Sequence, residues 1–148
     1  YKTMSVLDNI MVGAYQLHAS DADARAHAIS VAQKVGMAPL LGQAAMELTV
    51  AGRKRLELAR ALATNPQLLL LDEPMAGVPT AERQVVLQAL DTLPKDLAIL
   101  MIEHDMDLVF SFAHRMVVLA EGEVLAQGAP AFIRQHAAVR TAYLGEVG

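Results

Sequence analysis

Apolar residues recur at helical spacing from the start of the chain: Val6, Leu7, Ile10, Met11 and Ala14 fall on one face of a helix. An alanine-rich stretch from Ser20 to Gly36 predicts a second helix, with Ser20 or Asp21 placed to cap its start and Gly36 to end it. The same period returns from Arg53 to Ala63, with Leu56, Ala59, Leu62 and Ala63 on one face and Arg53, Glu57 and Arg60 on the other. No strand pattern precedes Pro66. After Asn65-Pro66 the period changes, and Leu68 to Leu71 and Leu97 to Ile102 are short continuous apolar runs that read as buried strands. Between them, Thr80 to Leu93 predicts a helix with Val85, Val86, Ala89, Leu90 and Leu93 inward, so the unit closes as strand, helix, strand by a parallel crossover. A helix from Met106 to Ala113, a strand from Met116 to Leu119, a turn at Glu121-Gly122 and a returning strand from Glu123 to Ala126 add a hairpin. The expected class is α/β: a helical part over residues 1–64, a parallel-sheet part over 65–128 and a helical tail over 129–148.

Composition narrows this picture. A chain of 148 residues that is 54% hydrophobic has the size and apolar mass of one globular domain. Its formal charge of -4 is spread over 12 basic and 16 acidic residues without a basic stripe, which argues against nucleic acid as a partner. The absence of cysteine excludes disulfides and thiolate metal sites and fits a reducing compartment. Charged residues interrupt every apolar run well short of a bilayer-spanning length. The chain opens at Tyr1, directly on a helical pattern and with no leader, and reads as a fragment of a longer protein.

Candidate chemistry lies where the two strands end. In open parallel sheets ligands bind beyond the carboxyl ends of the strands, so Asp72-Glu73 and Glu103-His104 are expected on one rim. Adjacent carboxylates after an apolar strand are costly unless a cation or polarised water partners them. In phosphoryl transfer to water, one carboxylate helps to hold Mg²⁺ and a second orients the attacking water and takes its proton; Asp72 and Glu73 suit those roles. His104 is placed to donate a hydrogen bond to the γ-phosphate. Each position also has a structural reading: Asp72 caps the turn before Pro74, and Asp105 caps a helix from Met106 onward. The scattered methionines read as core fillers, His18, His27, His114 and His136 lack partners at ligand spacing, and Arg53-Lys54-Arg55 reads as a solvated helix face balanced by Glu57.

Order and spacing join these candidates. The segment Leu48-Thr49-Val50-Ala51-Gly52-Arg53-Lys54-Arg55-Leu56-Glu57-Leu58-Ala59-Arg60-Ala61-Leu62, then Leu68 to Glu73, then Glu103-His104-Asp105, resembles the ATP-binding-cassette (ABC) ATPases over essentially the whole chain. The resemblance makes these the signature motif and its helix, the Walker B strand with its catalytic glutamate, and the switch histidine. Met75-Ala76-Gly77-Val78-Pro79 takes the place of the D-loop. It implies a partial P-loop NTPase fold that binds ATP and Mg²⁺, with Glu73 and His104 catalytic, Asp72 at the metal, and Thr49, Val50, Ala51, Gly52 and Gly77 at the nucleotide.

Met4 to Gly13, Ile102-Glu103-His104-Asp105-Met106 and Ala142-Tyr143-Leu144-Gly145 further resemble ATP-binding subunits of branched-chain amino acid importers; lipopolysaccharide-export ATPases are similar in the tail. The resemblance implies a homo- or heterodimer of ATP-binding subunits that drives transmembrane permease subunits from the cytoplasmic face of the inner membrane. Two departures stand out. No G-x-x-x-x-G-K-[ST] loop or glutamine-bearing loop lies within these residues, and Leu48-Thr49-Val50-Ala51-Gly52 stands where the family usually has L-S-G-G-Q. The chain alone is therefore expected to be inactive, and a non-hydrolysing interaction module or a truncated product are the rival readings.

Overall fold

The computed structural model describes residues 1–144, so Gly145 and the end of the expected helical tail lie outside the described residues. The chain divides into two compact units, Tyr1–Ile102 and the residues from Glu103 onward.

The first unit begins with α1 (Val6–Ala14), which starts where Ser5 Oγ accepts the Asp8 N–H at 3.0 Å. Ser20 does the same for α2 (Asp21–Lys34) through Asp23, and Gly36, at φ +70°, takes the chain out of that helix. Both helices pack with α3 (Val50–Leu62) around Val6, Ile10, Ala24, Ala28, Met37 and Ala59. Large apolar side chains buried this completely contribute about 1.5–3 kcal/mol each. Asn9, the buried polar residue in this core, is satisfied because its amide donates to the Ser5 carbonyl at 2.9 Å.

The third helix begins at Val50, before the Arg53 that periodicity suggested. Thr49 caps it, its Oγ1 accepting the Gly52 N–H at 3.2 Å. The cap was missed because Val50, Ala51 and Gly52 show no polar and apolar alternation. Residues before Pro66 are not wholly without β structure either: Ser5 and Ala44 form an isolated antiparallel bridge.

Strands β1 (Leu68–Asp72) and β2 (Ala98–Ile102) pair in parallel, with Leu68 opposite Ala98 and Asp72 opposite Ile102. The crossover between them is a short 3₁₀ turn, Thr80–Glu82, followed by α4 (Arg83–Asp91). Val86, Ala89 and Leu90 are buried on α4 as expected, whereas Val85 is exposed. The strands themselves are not buried as their sequence suggested. Leu69 faces Leu58, Ala61, Val86 and Leu90, but the opposite face carries Leu68, Leu70, Leu100 and Ile102 in the open, Leu70 at 66% and Leu100 at 59% exposure. A continuous apolar run is compatible with cover on both faces. Among the described residues only one face receives it.

In the second unit α5 (Met106–Phe112) is capped by Asp105, whose Oδ1 accepts the Leu108 N–H at 3.1 Å. The antiparallel strands β3 (Met116–Ala120) and β4 (Glu123–Gly128) turn at Glu121 and Gly122, with φ of +52° and +84°, a conformation suited to a tight hairpin. Met116, Val118 and Ala126 pack with Ile133 of α6 (Pro130–Gln135) and Val139 of α7 (Ala137–Val139). A π-helical turn, Arg140–Leu144, follows.

Of the eight methionines, Met11, Met37, Met75 and Met116 fill core space, while Met46 is exposed. Gly13 marks the tightest approach in the first unit: a Cβ there would stand 2.5 Å from the Arg60 carbonyl oxygen. Gly13→Ala gains roughly 0.5–1 kcal/mol of helix preference. Forcing α1 from α3 costs about 1–3 kcal/mol, so the variant should unfold at lower urea concentration with an unchanged slope. Thr49→Val removes the α3 cap and should cost about 1 kcal/mol in the same titration. Thr49→Ser keeps the accepting oxygen and should match the parent.

Candidate functional site

The end of β1 is built by backbone geometry. Glu73 follows the strand and precedes Pro74, and the clash of a proline ring with the preceding residue disfavours the right-handed helical region there. Glu73 turns instead to φ +45°. A left-handed non-glycine residue costs about 1–2 kcal/mol and persists only where its surroundings hold it. Here they do: the Glu73 N–H donates to the Ile102 carbonyl at 2.9 Å, and its own carbonyl accepts the Ala76 N–H at 3.0 Å and the Lys54 ammonium at 3.1 Å.

Both carboxylates of the pair are exposed. Their exposure removes the desolvation cost on which the sequence argument for a cation or polarised water as partner rested. The case for Asp72 and Glu73 therefore rests on their placement.

The first turn of α3 lies beside this loop. Gly77 is at φ +71°, and a Cβ added to it would reach only ordinary contact distance, 4.0 Å, of Val50 Cγ1. Thr49 is exposed, Val50 half-buried, and Ala51 and Gly52 are buried. The amides of Val50 and Ala51 precede the intrahelical ladder, which the Arg53 N–H opens by donating to the Thr49 carbonyl at 2.9 Å. The Gly52 amide is committed to the cap. One unit thus gathers Thr49, Val50, Ala51, Gly52, Asp72, Glu73 and Gly77, whereas His104 belongs to the other.

Arg53 stays exposed while Lys54 and Arg55 are half-buried, and all three side chains reach backbone carbonyls. Arg53 donates to the Leu48 carbonyl at 2.6 Å, Lys54 to that of Glu73, and Arg55 to that of Gly36 at 3.0 Å. Burial lowers the pKa of Arg55 from its ordinary value and the Glu82 charge opposes this; a guanidinium stays protonated regardless. Sequence reading missed these anchors because a basic triplet shows its charge and not the carbonyls within reach.

In the second unit the Glu103 side chain is only 1% exposed, and its Oε2 accepts the N–H of His104 at 2.9 Å and of Asp105 at 3.2 Å. His104 is 74% exposed, with Nδ1 3.8 Å from the same oxygen. Asp105 has the helix-capping role its sequence allowed. Glu103, expected on the rim with His104, instead turns its carboxylate onto the backbone amides that follow the strand.

Among the described residues no three His, Cys, Asp or Glu side chains are grouped to hold a metal. His18 and His27 do find each other, their rings 5.1 Å apart, and His27 Nε2 lies 3.1 Å from the Ala63 carbonyl. Mg²⁺ in phosphate chemistry takes one or two carboxylates, with water and phosphate oxygens completing its shell. An exposed Asp72 at a strand end fits that donor set.

Known proteins resemble this chain in sequence and in fold. The family profile described as ABC transporter matches residues 1–76, and that of the branched-chain amino acid ATP-binding cassette transporter matches residues 123–148. The chain is 31% identical to the high-affinity branched-chain amino acid transport ATP-binding protein LivG of Escherichia coli and, equally, to BraF of Pseudomonas aeruginosa. In both cases 99% of this chain aligns and spans 64% of the relative's length. An ATP-binding cassette of an ABC transporter, solved in its ADP conformation, superposes with a TM-score of 0.78 at 26% identity over 98% of this chain and 64% of that one. The chain thus has a partial P-loop NTPase fold of the cassette type and belongs to the ABC transporter family.

Proposed function

We propose that these residues form the signature, Walker B and switch portion of an ATP-hydrolysing subunit that powers import of branched-chain amino acids. The observation that carries the reading is the clamped left-handed turn at Glu73, set beside the first turn of α3 at the carboxyl end of a parallel sheet. The names of the relatives and the profile matched at residues 123–148 support the solute class.

In this reading Glu73 takes a proton from water as the water oxygen attacks the γ-phosphorus, and the bond to the β,γ-bridging oxygen breaks to release ADP and phosphate. Asp72 is the residue that would hold Mg²⁺, which spreads the charge developing on the phosphate oxygens. His104 donates a hydrogen bond to the γ-phosphate, its backbone fixed by Glu103. Thr49, Val50 and Ala51 offer a hydroxyl and two amides to the phosphate of a partner subunit's nucleotide, with Gly77 at the same junction. Gly52 contributes shape, not an amide.

Two such subunits close on ATP and pass the motion through residues 1–64 to membrane permease subunits, working peripherally at the cytoplasmic face. No helix among the described residues is long and apolar enough to cross a membrane. A non-hydrolysing, nucleotide-dependent interaction module is favoured by one observation, the side chains and the committed amide at Val50 to Gly52.

Glu73→Gln in the full-length subunit separates the two readings: hydrolysis should fall by about 100-fold or more while ATP binding persists, because an amide does not accept the proton. Phosphate release at the parental rate would assign the base elsewhere. The 148 residues alone carry no glycine-rich phosphate loop and should show no micromolar binding of Mg-ATP by titration calorimetry.

A further inference from the structure

Lys54 is the place where α3 takes hold of the catalytic turn. Its Nζ stands 3.1 Å from the Glu73 carbonyl oxygen, 19 residues away in sequence. The side chain lines a cleft between α3, β1 and α4, with Leu58, Leu69 and Val86 as apolar wall and Asp72 and Pro74 at the strand end. The Glu73 backbone is in the left-handed region and is held by three hydrogen bonds. One is local, from the Ala76 amide, and one ties it to the end of β2 through the Ile102 carbonyl. The third comes from α3, two residues beyond the Thr49 to Gly52 segment.

Extending the reading of Glu73 as the base, and resting on it, we propose that Lys54 is a positioning residue. Its ammonium holds the Glu73 carbonyl and so aims the carboxylate, making that aim depend on where the first turns of α3 lie. The chemistry favours it. An ammonium on a carbonyl is a charge-assisted bond at a backbone group whose displacement would turn the Glu73 Cα and with it the side chain. A displacement of the Thr49 to Gly52 segment is thereby conveyed to Glu73 within one subunit, without passing through the sheet.

The test measures steady-state ATP hydrolysis by the full-length subunit for Lys54→Met, Lys54→Arg and Glu73→Gln, with ATP binding and thermal midpoint recorded for each. Loss of alignment acts on the chemical step, so Lys54→Met should lower kcat about 10-fold with KM for ATP within about two-fold, and Lys54→Arg should recover most of the rate. Three outcomes overturn the proposal: a parental kcat in Lys54→Met while Glu73→Gln is inactive, a loss confined to KM, or a loss that vanishes when rates are corrected for folded protein. If Glu73→Gln hydrolyses ATP like its parent, the reading of Glu73 fails first and the role of Lys54 falls with it. Should Lys54→Met not fold, Lys54→Arg against Lys54→Gln carries the test, and equal kcat in those two refutes a role for the charge.

Discussion

The Glu73 N–H bonded to the Ile102 carbonyl is the constraint on which the first unit's geometry depends. It extends the pairing of β1 and β2 one residue past the last strand pair, Asp72 opposite Ile102, and so fixes where the chain leaves the sheet. Held there and followed by proline, Glu73 reverses through the left-handed region. The reversal sends Met75 and Val78 into the core and sets Gly77 beside Val50. A one-residue slip between the strands would turn Asp72 to the opposite face and dissolve this arrangement.

Much of the fold was legible because it is written in periods. Helices α1 and α2, the strand, helix, strand unit and the hairpin at Glu121-Gly122 each carry a repeat or turn signal that local physics enforces. What escaped were facts about partners. Leu68 to Leu71 announces a strand but not which face is covered, and the open Leu70 and Leu100 follow from neighbours the strand does not encode. The start of α3 was misplaced by three residues because its signal is a single hydroxyl at Thr49.

The site shows the same division. Asp72, Glu73 and His104 stand out in the sequence by residue type and order, whereas the backbone contacts around Glu73 and His104 do not. Glu103 looked like one more rim carboxylate and proved to be buried against the amides of His104 and Asp105. Lys54 looked like solvated charge and proved to grip a carbonyl. Side chains that act on backbone leave no pattern in sequence, because every residue offers the same carbonyl and amide. Thr49 is the intermediate case: its exposed hydroxyl suits the proposed phosphate contact, yet the same oxygen caps α3, so deleting it would test both at once.

The bare face of the first sheet bears on the behaviour of this chain as a polypeptide in a tube. Leu68, Leu70, Leu100 and Ile102 form an apolar stripe on two strands that pair only with each other among the described residues, leaving hydrogen-bonding edges beside exposed leucine. Natural sheets blunt such edges with lysine, proline or a bulge, and none interrupts these strands. Expressed by itself, the chain carries a template for strand addition and self-association, and its solubility will depend on what is allowed to lie against that stripe.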